Sequence, residues 1–342
     1  SLDFLVDQAV TFRRKLLVRQ GLEESVDKLT HNDHEGALVA MEAAINRVNL
    51  QGTKGTNEVD LVKDAEDRFA EYQALANHTM LGIGTGFDTM DEATAGLQGG
   101  QLITIIAPPK TGKSQIAMAV AINVHKQGKM PMFQSFEMTN REQQQRHDAM
   151  RAQVSHGRLR RGKLFQDEET RYIDMLKDMG QMQTPFHLVD AVNGLTVASL
   201  SATITKLKPE VVFVDGVYLM MDEQTGEMNT PQSITNVTRA LKRLAQRHDI
   251  PVVITTQTLL WKMRGGKVTA DSIGYSSSFF QDSDVIFGLE PVPDVEDMRN
   301  FKIVASRNCG PQEVSMVWNW ETGCFHEESK MHTCALCKRG LM

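Results

Sequence analysis

Ala107-Pro108-Pro109-Lys110-Thr111-Gly112-Lys113-Ser114 is the segment of this chain best suited to phosphate chemistry. A loop that wraps backbone N–H groups around a β-phosphate needs a position without a side chain, and Gly112 provides it. Lys113 follows as a point charge for the β- and γ-phosphates, and the Ser114 hydroxyl is placed to ligate Mg²⁺. The segment begins with Ala107 where such loops usually carry Gly, so its flanks must help identify it. Before it runs the apolar stretch Leu102–Ile106, which reads as a buried strand. After it, Ile116, Ala117, Val120, Ala121 and Val124 recur at helical spacing, which points a helix N-terminus at the phosphates. Strand, loop and helix together imply that ATP and Mg²⁺ bind here.

Three further apolar runs end in side chains that can act on a phosphate. Val211–Val214 ends in Asp215, a carboxylate for the Mg²⁺ shell. Pro131–Phe136 ends in Glu137, which can take the proton of the attacking water; a bland alternative is an acid beside the helix that begins at Thr139. Pro251–Thr256 ends in Gln257, an amide that can bond the γ-phosphate or its water and report hydrolysis, or simply face solvent.

The elements that must position these residues alternate along the chain. Strands are expected at 102–106, 131–136, 186–189, 211–215, 251–256, 284–289, 301–305 and 314–320. Helices are expected at 113–127, 140–154, 167–179, 196–206 and 231–248. Such alternation predicts an α/β fold, a mostly parallel sheet with helices on both faces, its late strands antiparallel at one edge. Residues 1–50 read as a small helical region interrupted at His31-Asn32-Asp33-His34, and 51–57 as a Gly/Thr linker. A charged helix follows from Glu58 to His78, with Leu61, Ala65, Phe69, Tyr72 and Leu75 down one side. It needs a surface to dock on, in a neighbouring subunit or in its own chain. The expected division is therefore 1–50, a linker with its helix at 51–80, an ATPase domain at 81–326 and a tail at 327–342.

Composition narrows the class. The chain has 342 residues, 41% hydrophobic and 23% charged, with a net charge of −6. That balance disfavours a protein coated in Lys and Arg for nucleic acid, yet allows one that encloses a strand in a narrow channel. No apolar run approaches the roughly 18 residues of a membrane span, and no signal-peptide pattern opens the sequence. Four cysteines clustered mainly at the end do not read as a disulfide framework, which suggests a reducing, cytoplasmic setting. In the tail, Cys334 and Cys337 have zinc half-site spacing, with Cys324, His326 and His332 nearby. A flexible tail with free thiols is favoured over a zinc site.

The order of these parts resembles the RecA-like motor of DnaB-type replicative DNA helicases, over roughly residues 58–326. The resemblance rests on Gly84–Asp88, Gly96–Gly100, the P-loop, Ser135–Met138, Val214-Asp215 with Tyr218–Met220, Pro251–Gln257, Gln281–Ile286 and Arg307–Pro311. Phage-encoded members, which would act in a host cytoplasm, are the most similar in pattern. It implies a RecA-like P-loop NTPase that forms a homo-hexameric ring, with ATP between neighbours and Arg307 as the arginine finger. It also implies single-stranded DNA at a replication fork as the track, with primase and a helicase loader as candidate partners. A DNA-facing loop would comprise Gly274, Tyr275 and Ser276, with Lys262, Arg264 and Lys267 just upstream. There are departures from the pattern. Ala305 stands where the family often has Lys, Cys309 lengthens the Arg-Asn-Gly-Pro turn, and Gly274–Ser277 replaces an Arg-Glu-Ser-Gly run. A RecA-like recombinase or repair ATPase fits the same sheet and loop, and so does an ATP-switched loader or adaptor.

Overall fold

A computed structural model describes residues 2–50, 68–70, 72–73, 80–190, 195–258, 268–269 and 278–329. The chain divides into two compact units, 1–76 and 77–342.

The first unit is a helical hairpin, α1 (Leu2–Thr30) and α2 (His34–Leu50). The expected break falls at the turn His31–Asp33, where Asp33 Oδ1 accepts from Gly36 N at 2.9 Å. Small residues make the seam. Ala37, Ala40 and Ala44 are buried, and a Cβ on Gly21 would lie 2.0 Å from that of Ala44, so the helices touch closely there. Residues 68–70 and 72–73, within the expected linker helix, are helical.

The second unit is built on a nine-stranded sheet of order β3-β2-β4-β5-β1-β6-β7-β8-β9. The strands are β1 (Leu102–Ala107), β2 (Pro131–Ser135), β3 (His187–Asp190), β4 (Val211–Asp215), β5 (Val252–Gln257), β6 (Val285–Val292), β7 (Val295–Ser306), β8 (Glu313–Asn319) and β9 (Cys324–Glu327). Strands β1 to β6 pair in parallel, while β7, β8 and β9 add antiparallel at one edge. The helices are α3 (Asp88–Thr94), α4 (Lys113–Lys126), α5 (Asn140–Ala152), α6 (His156–Arg160), α7 (Gln166–Gln181), α8 (Val197–Leu207), α9 (Pro231–His248) and α10 (Ser278–Asp282).

Alternation along the strands assigns the two faces. Ile103, Ile105, Phe133, Phe213 and Val253 pack with Ile116, Ala117 and Val120 of α4. Leu102, Ile106, Met132, Val212, Val214, Val252 and Ile254 pack with Leu200 and Ile204 of α8 and Val237, Leu241 and Leu244 of α9. A sheet buried on both faces explains why its strands read as unbroken apolar runs.

Several details differ from the sequence expectation. β6 pairs antiparallel with β7, as expected of the late strands, and its other side pairs parallel with β1, which the sequence does not announce. β7 starts six residues before the expected strand, within the exposed hairpin at Asp294. The short elements α3, α6, α10 and β9 carry too few residues for a periodic signal, and the sequence does not announce them.

Candidate active site

The P-loop sits at the C-terminal end of β1. Ala107 and Pro108 are buried, Pro109 and Lys110 are exposed, and Thr111 to Ser114 turn inward. Lys110 adopts φ 61° and Gly112 φ 112°, left-handed values that reverse the chain into α4. Gly112 meets a second constraint from below. A Cβ there would lie 2.1 Å from Cζ2 of Trp318 on β8. Arg299 on β7 donates from Nε to the Thr111 carbonyl at 3.3 Å, with its guanidinium 5.8 Å from the Trp318 ring centre. The antiparallel edge of the sheet therefore carries the floor of the loop.

The start of α4 is prepared for an anion. Thr139, Thr196 and Thr230 cap α5, α8 and α9 with side-chain hydrogen bonds, whereas Gly112 gives α4 no side-chain cap. First-turn N–H groups left unpaired at such a terminus suit a phosphate.

Parallel pairing brings the polar strand ends together. Ala107 is in register with Gln257, and Ser135 with Asp215. Lys113 Nζ lies 2.7 Å from Glu137 Oε1 and 3.8 Å from Asp215 Oδ1. Ser114 Oγ donates to Asp215 Oδ1 at 3.0 Å, and Thr255 Oγ1 donates to the same oxygen at 2.7 Å. Asp215 is fully buried and its Oδ2 has no hydrogen-bond partner. An orphan carboxylate oxygen beside a serine hydroxyl is an apt pair of hard donors for Mg²⁺.

Burial pushes the Glu137 carboxyl up. The nearby Lys113 charge, with hydrogen bonds from Lys113 and Tyr218, outweighs this and holds it below the ordinary carboxylate value. It is therefore ionised at neutral pH, as a base must be. Gln257 Nε2 donates to the Tyr218 hydroxyl at 2.7 Å, so the amide is tied to the same cluster.

Sequence reasoning does not select Arg146, Thr255, Tyr218 or Trp318 as site residues. Arg146, on α5, is lowered from its ordinary value by burial, against the pull of Asp215, Glu137 and Glu142, and its Nη1 has no partner. A half-buried cation near two carboxylates of the site is concealed in the polar stretch Arg141–His147. Thr255 is concealed inside an apolar strand, where only its register with Asp215's neighbours reveals it.

Arg307 is not in this cluster. It follows β7, whose Ser306 pairs with Val285, which in β6 is aligned with Ile103 near the start of β1. The P-loop begins at the other end of β1, about 13 Å away along the strand at roughly 3.3 Å per residue. Arg307 is 54% exposed, donates to the Gln281 carbonyl at 2.9 Å and lies 3.7 Å from Asp284 Oδ1. It cannot serve its own P-loop. Lys262, Arg264, Lys267, Gly274, Tyr275 and Ser276 lie outside the described residues, as do His332, Cys334 and Cys337. Of the other two tail candidates, Cys324 is buried and His326 Nδ1 pairs with the Glu327 carbonyl at 3.0 Å. Among the described residues no cluster of metal-ligating side chains appears, and no helix is long and apolar enough to cross a membrane.

The replicative DNA helicase DnaB of Treponema pallidum is 30% identical over 265 residues, 74% of this chain and 56% of that protein. The replicative DNA helicase DnaC of Bacillus subtilis is 25% identical over 82% of this chain and 63% of that protein. The chain thus spans between about half and two thirds of the length of these relatives. A solved structure of an ATPase domain superposes with a TM-score of 0.71 at 18% identity, covering 79% of this chain and 99% of that one. A DnaB-like replicative helicase, described with its interactions with primase, gives 0.70 at 16% identity over 94% of this chain and 78% of that one. At these identities the likeness is one of fold, the RecA-like ATPase architecture. Residues 82–327 match the family described as the DnaB-like helicase C terminal domain, and with that span covered the chain belongs to that family.

Proposed function

We propose that the protein is the motor of an ATP-driven, ring-forming replicative DNA helicase that moves along single-stranded DNA and opens duplex at a fork. The observation that carries this is the split placement of the chemistry. Lys113, Ser114, Glu137, Asp215 and Gln257 lie at one end of the parallel sheet, and Arg307 lies at the other. A site completed by an arginine that cannot reach its own loop needs a neighbouring subunit, as in a hexamer.

In this reading residues 107–114 cradle the triphosphate, with Lys113 and the α4 N-terminus on its charge. Ser114 and Asp215 would hold Mg²⁺, which would supply charge neutralisation at the phosphates. Glu137 Oε1 is occupied by Lys113 and Tyr218, which leaves Oε2 to accept the proton of the attacking water. Gln257 reports the reaction to the segment after β5, where Lys262, Arg264, Lys267, Gly274, Tyr275 and Ser276 are assigned to the DNA. Arg307 stabilises charge on the neighbour's γ-phosphate. Residues 81–326 form the motor, 51–80 the linker and its helix, 1–50 a helical N-terminal region and 327–342 a tail. The working compartment is the cytoplasm, and primase and a loader are the partners to test.

The test is ATP-dependent unwinding of a forked duplex, with Lys113→Ala alongside. Unwinding by the wild type and none by the variant is the expected outcome. Hydrolysis without strand separation in the presence of a loader would turn the reading towards a recombinase-like ATPase. Slow hydrolysis indifferent to DNA would turn it towards an ATP-switched adaptor.

A further inference from the structure

Tyr218 touches three of the groups assigned to hydrolysis, Glu137, Lys113 and Gln257. It lies in the 3₁₀ turn Val217–Leu219 directly after β4 and is 8% exposed. Gly216, at φ 87°, makes the turn possible. A Cβ at that position would sit 3.0 Å from Glu137 Cγ, so the glycine also leaves room for the carboxylate. The Tyr218 hydroxyl donates to Glu137 Oε1, the oxygen that also takes Lys113. Its ring lies beneath the Lys113 ammonium, 5.2 Å from Nζ to the ring centre, in cation–π range.

Direction follows from the donor inventory. An ionised carboxylate can only accept, so the phenol must give its one proton to Glu137. Its oxygen is then an acceptor, and Gln257 Nε2 donates to it at 2.7 Å. The chain runs one way, from Gln257 amide to Tyr218 hydroxyl to Glu137 carboxylate. It fixes the amide with its nitrogen toward Tyr218 and its oxygen away.

We propose that Tyr218 is a positioning residue of the hydrolytic site, holding Glu137 in its ionised, oriented form and coupling that orientation to Gln257 at the end of β5. This rests on the reading of Glu137 as the base. Among the described residues, the other charges acting on Glu137 are Lys113 on α4 and Arg146 on α5, with Asp215 on β4 beside Lys113. These residues are unchanged in the test, which replaces Tyr218 by Phe and keeps the buried ring.

Wild type, Tyr218→Phe, Gln257→Ala and the double variant, each as the full chain, are compared in steady-state ATP hydrolysis across pH. Tyr218→Phe leaves KM for ATP within about twofold and lowers kcat roughly ten- to a hundredfold, the size of one hydrogen bond to a charged group. The acidic limb of its kcat profile moves to higher pH, because the carboxylate has lost a donor that favours its charged form. On the Gln257→Ala background the same substitution costs distinctly less, since the chain is already cut. An unmoved acidic limb together with additive losses overturns the proposal and leaves Tyr218 a packing residue. A wild type that hydrolyses no ATP, with or without single-stranded DNA, overturns the reading of the site itself and this coupling with it.

Discussion

Glu168 on α7 and Asp215 at the end of β4 are both almost wholly buried carboxylates, at 4% and 0% exposure, but their surroundings differ in kind. Glu168 has a filled shell. Arg158 donates to it twice, at 2.7 and 2.8 Å, and the backbone N–H groups of Ser155 and Phe165 add bonds of 2.9 and 3.1 Å. Asp215 has two donors on one oxygen and none on the other, with Arg146 Nη1 also unpaired nearby. The same functional group thus serves two ends. Where every lone pair is met, the carboxylate knits helices together; where buried polar atoms are left over, something else is meant to arrive.

Breaking each side of this contrast gives different signatures. Glu137→Gln at the open cluster lowers kcat for ATP by about 10²–10⁴-fold, the range for a lost general base, while stability falls by less than for the enclosed Glu168 pair, because Asp215 still faces the Lys113 charge. Single-turnover hydrolysis and a melting curve on one preparation check both halves. Glu168→Gln does the reverse. It costs about 3 kcal/mol of stability, as loss of one partner of a buried pair does, with kcat per folded molecule unchanged below the transition.

The pH dependence sharpens that second case. Hydrogen bonds from Arg158, then from the Ser155 and Phe165 backbone, hold the Glu168 carboxyl at about 2 against an ordinary 4.5. The folded value is the lower one, so the stabilisation is complete above about 4.5 and drains away as pH falls toward 2. The gap in unfolding free energy between wild type and Glu168→Gln should therefore narrow across that window. The smallest effect separates the helix starts. Thr139→Ala removes the capping box of α5 and costs about 1 kcal/mol in denaturant titration, with nucleotide affinity at the uncapped α4 unaltered.

Much of this is legible because a buried parallel strand that ends in a polar residue leaves only one place for it. Glu137, Asp215 and Gln257 each close an apolar run, and parallel pairing then sets them beside the P-loop without further information. Helix spans such as Pro231–His248 are equally plain from their apolar stripe. Tyr218 and Trp318 are not legible as site residues, for different reasons. Tyr218 reaches Glu137 only because Gly216 turns the chain back on itself after β4, a backbone event with no periodic signature. Trp318 arrives under Gly112 from a strand more than two hundred residues later, through an antiparallel edge whose register no local pattern encodes.

That last contact also gives the protein a built-in optical probe. The chain has three tryptophans, Trp261, Trp318 and Trp320, and Trp318 is fully buried with Phe325 stacked on it at 3.8 Å. Because the indole edge abuts Gly112, a shift in the loop alters the packing around a fluorophore at its base. With Trp261→Phe and Trp320→Phe, the emission of a single native residue would follow the loop through each turnover without any attached dye.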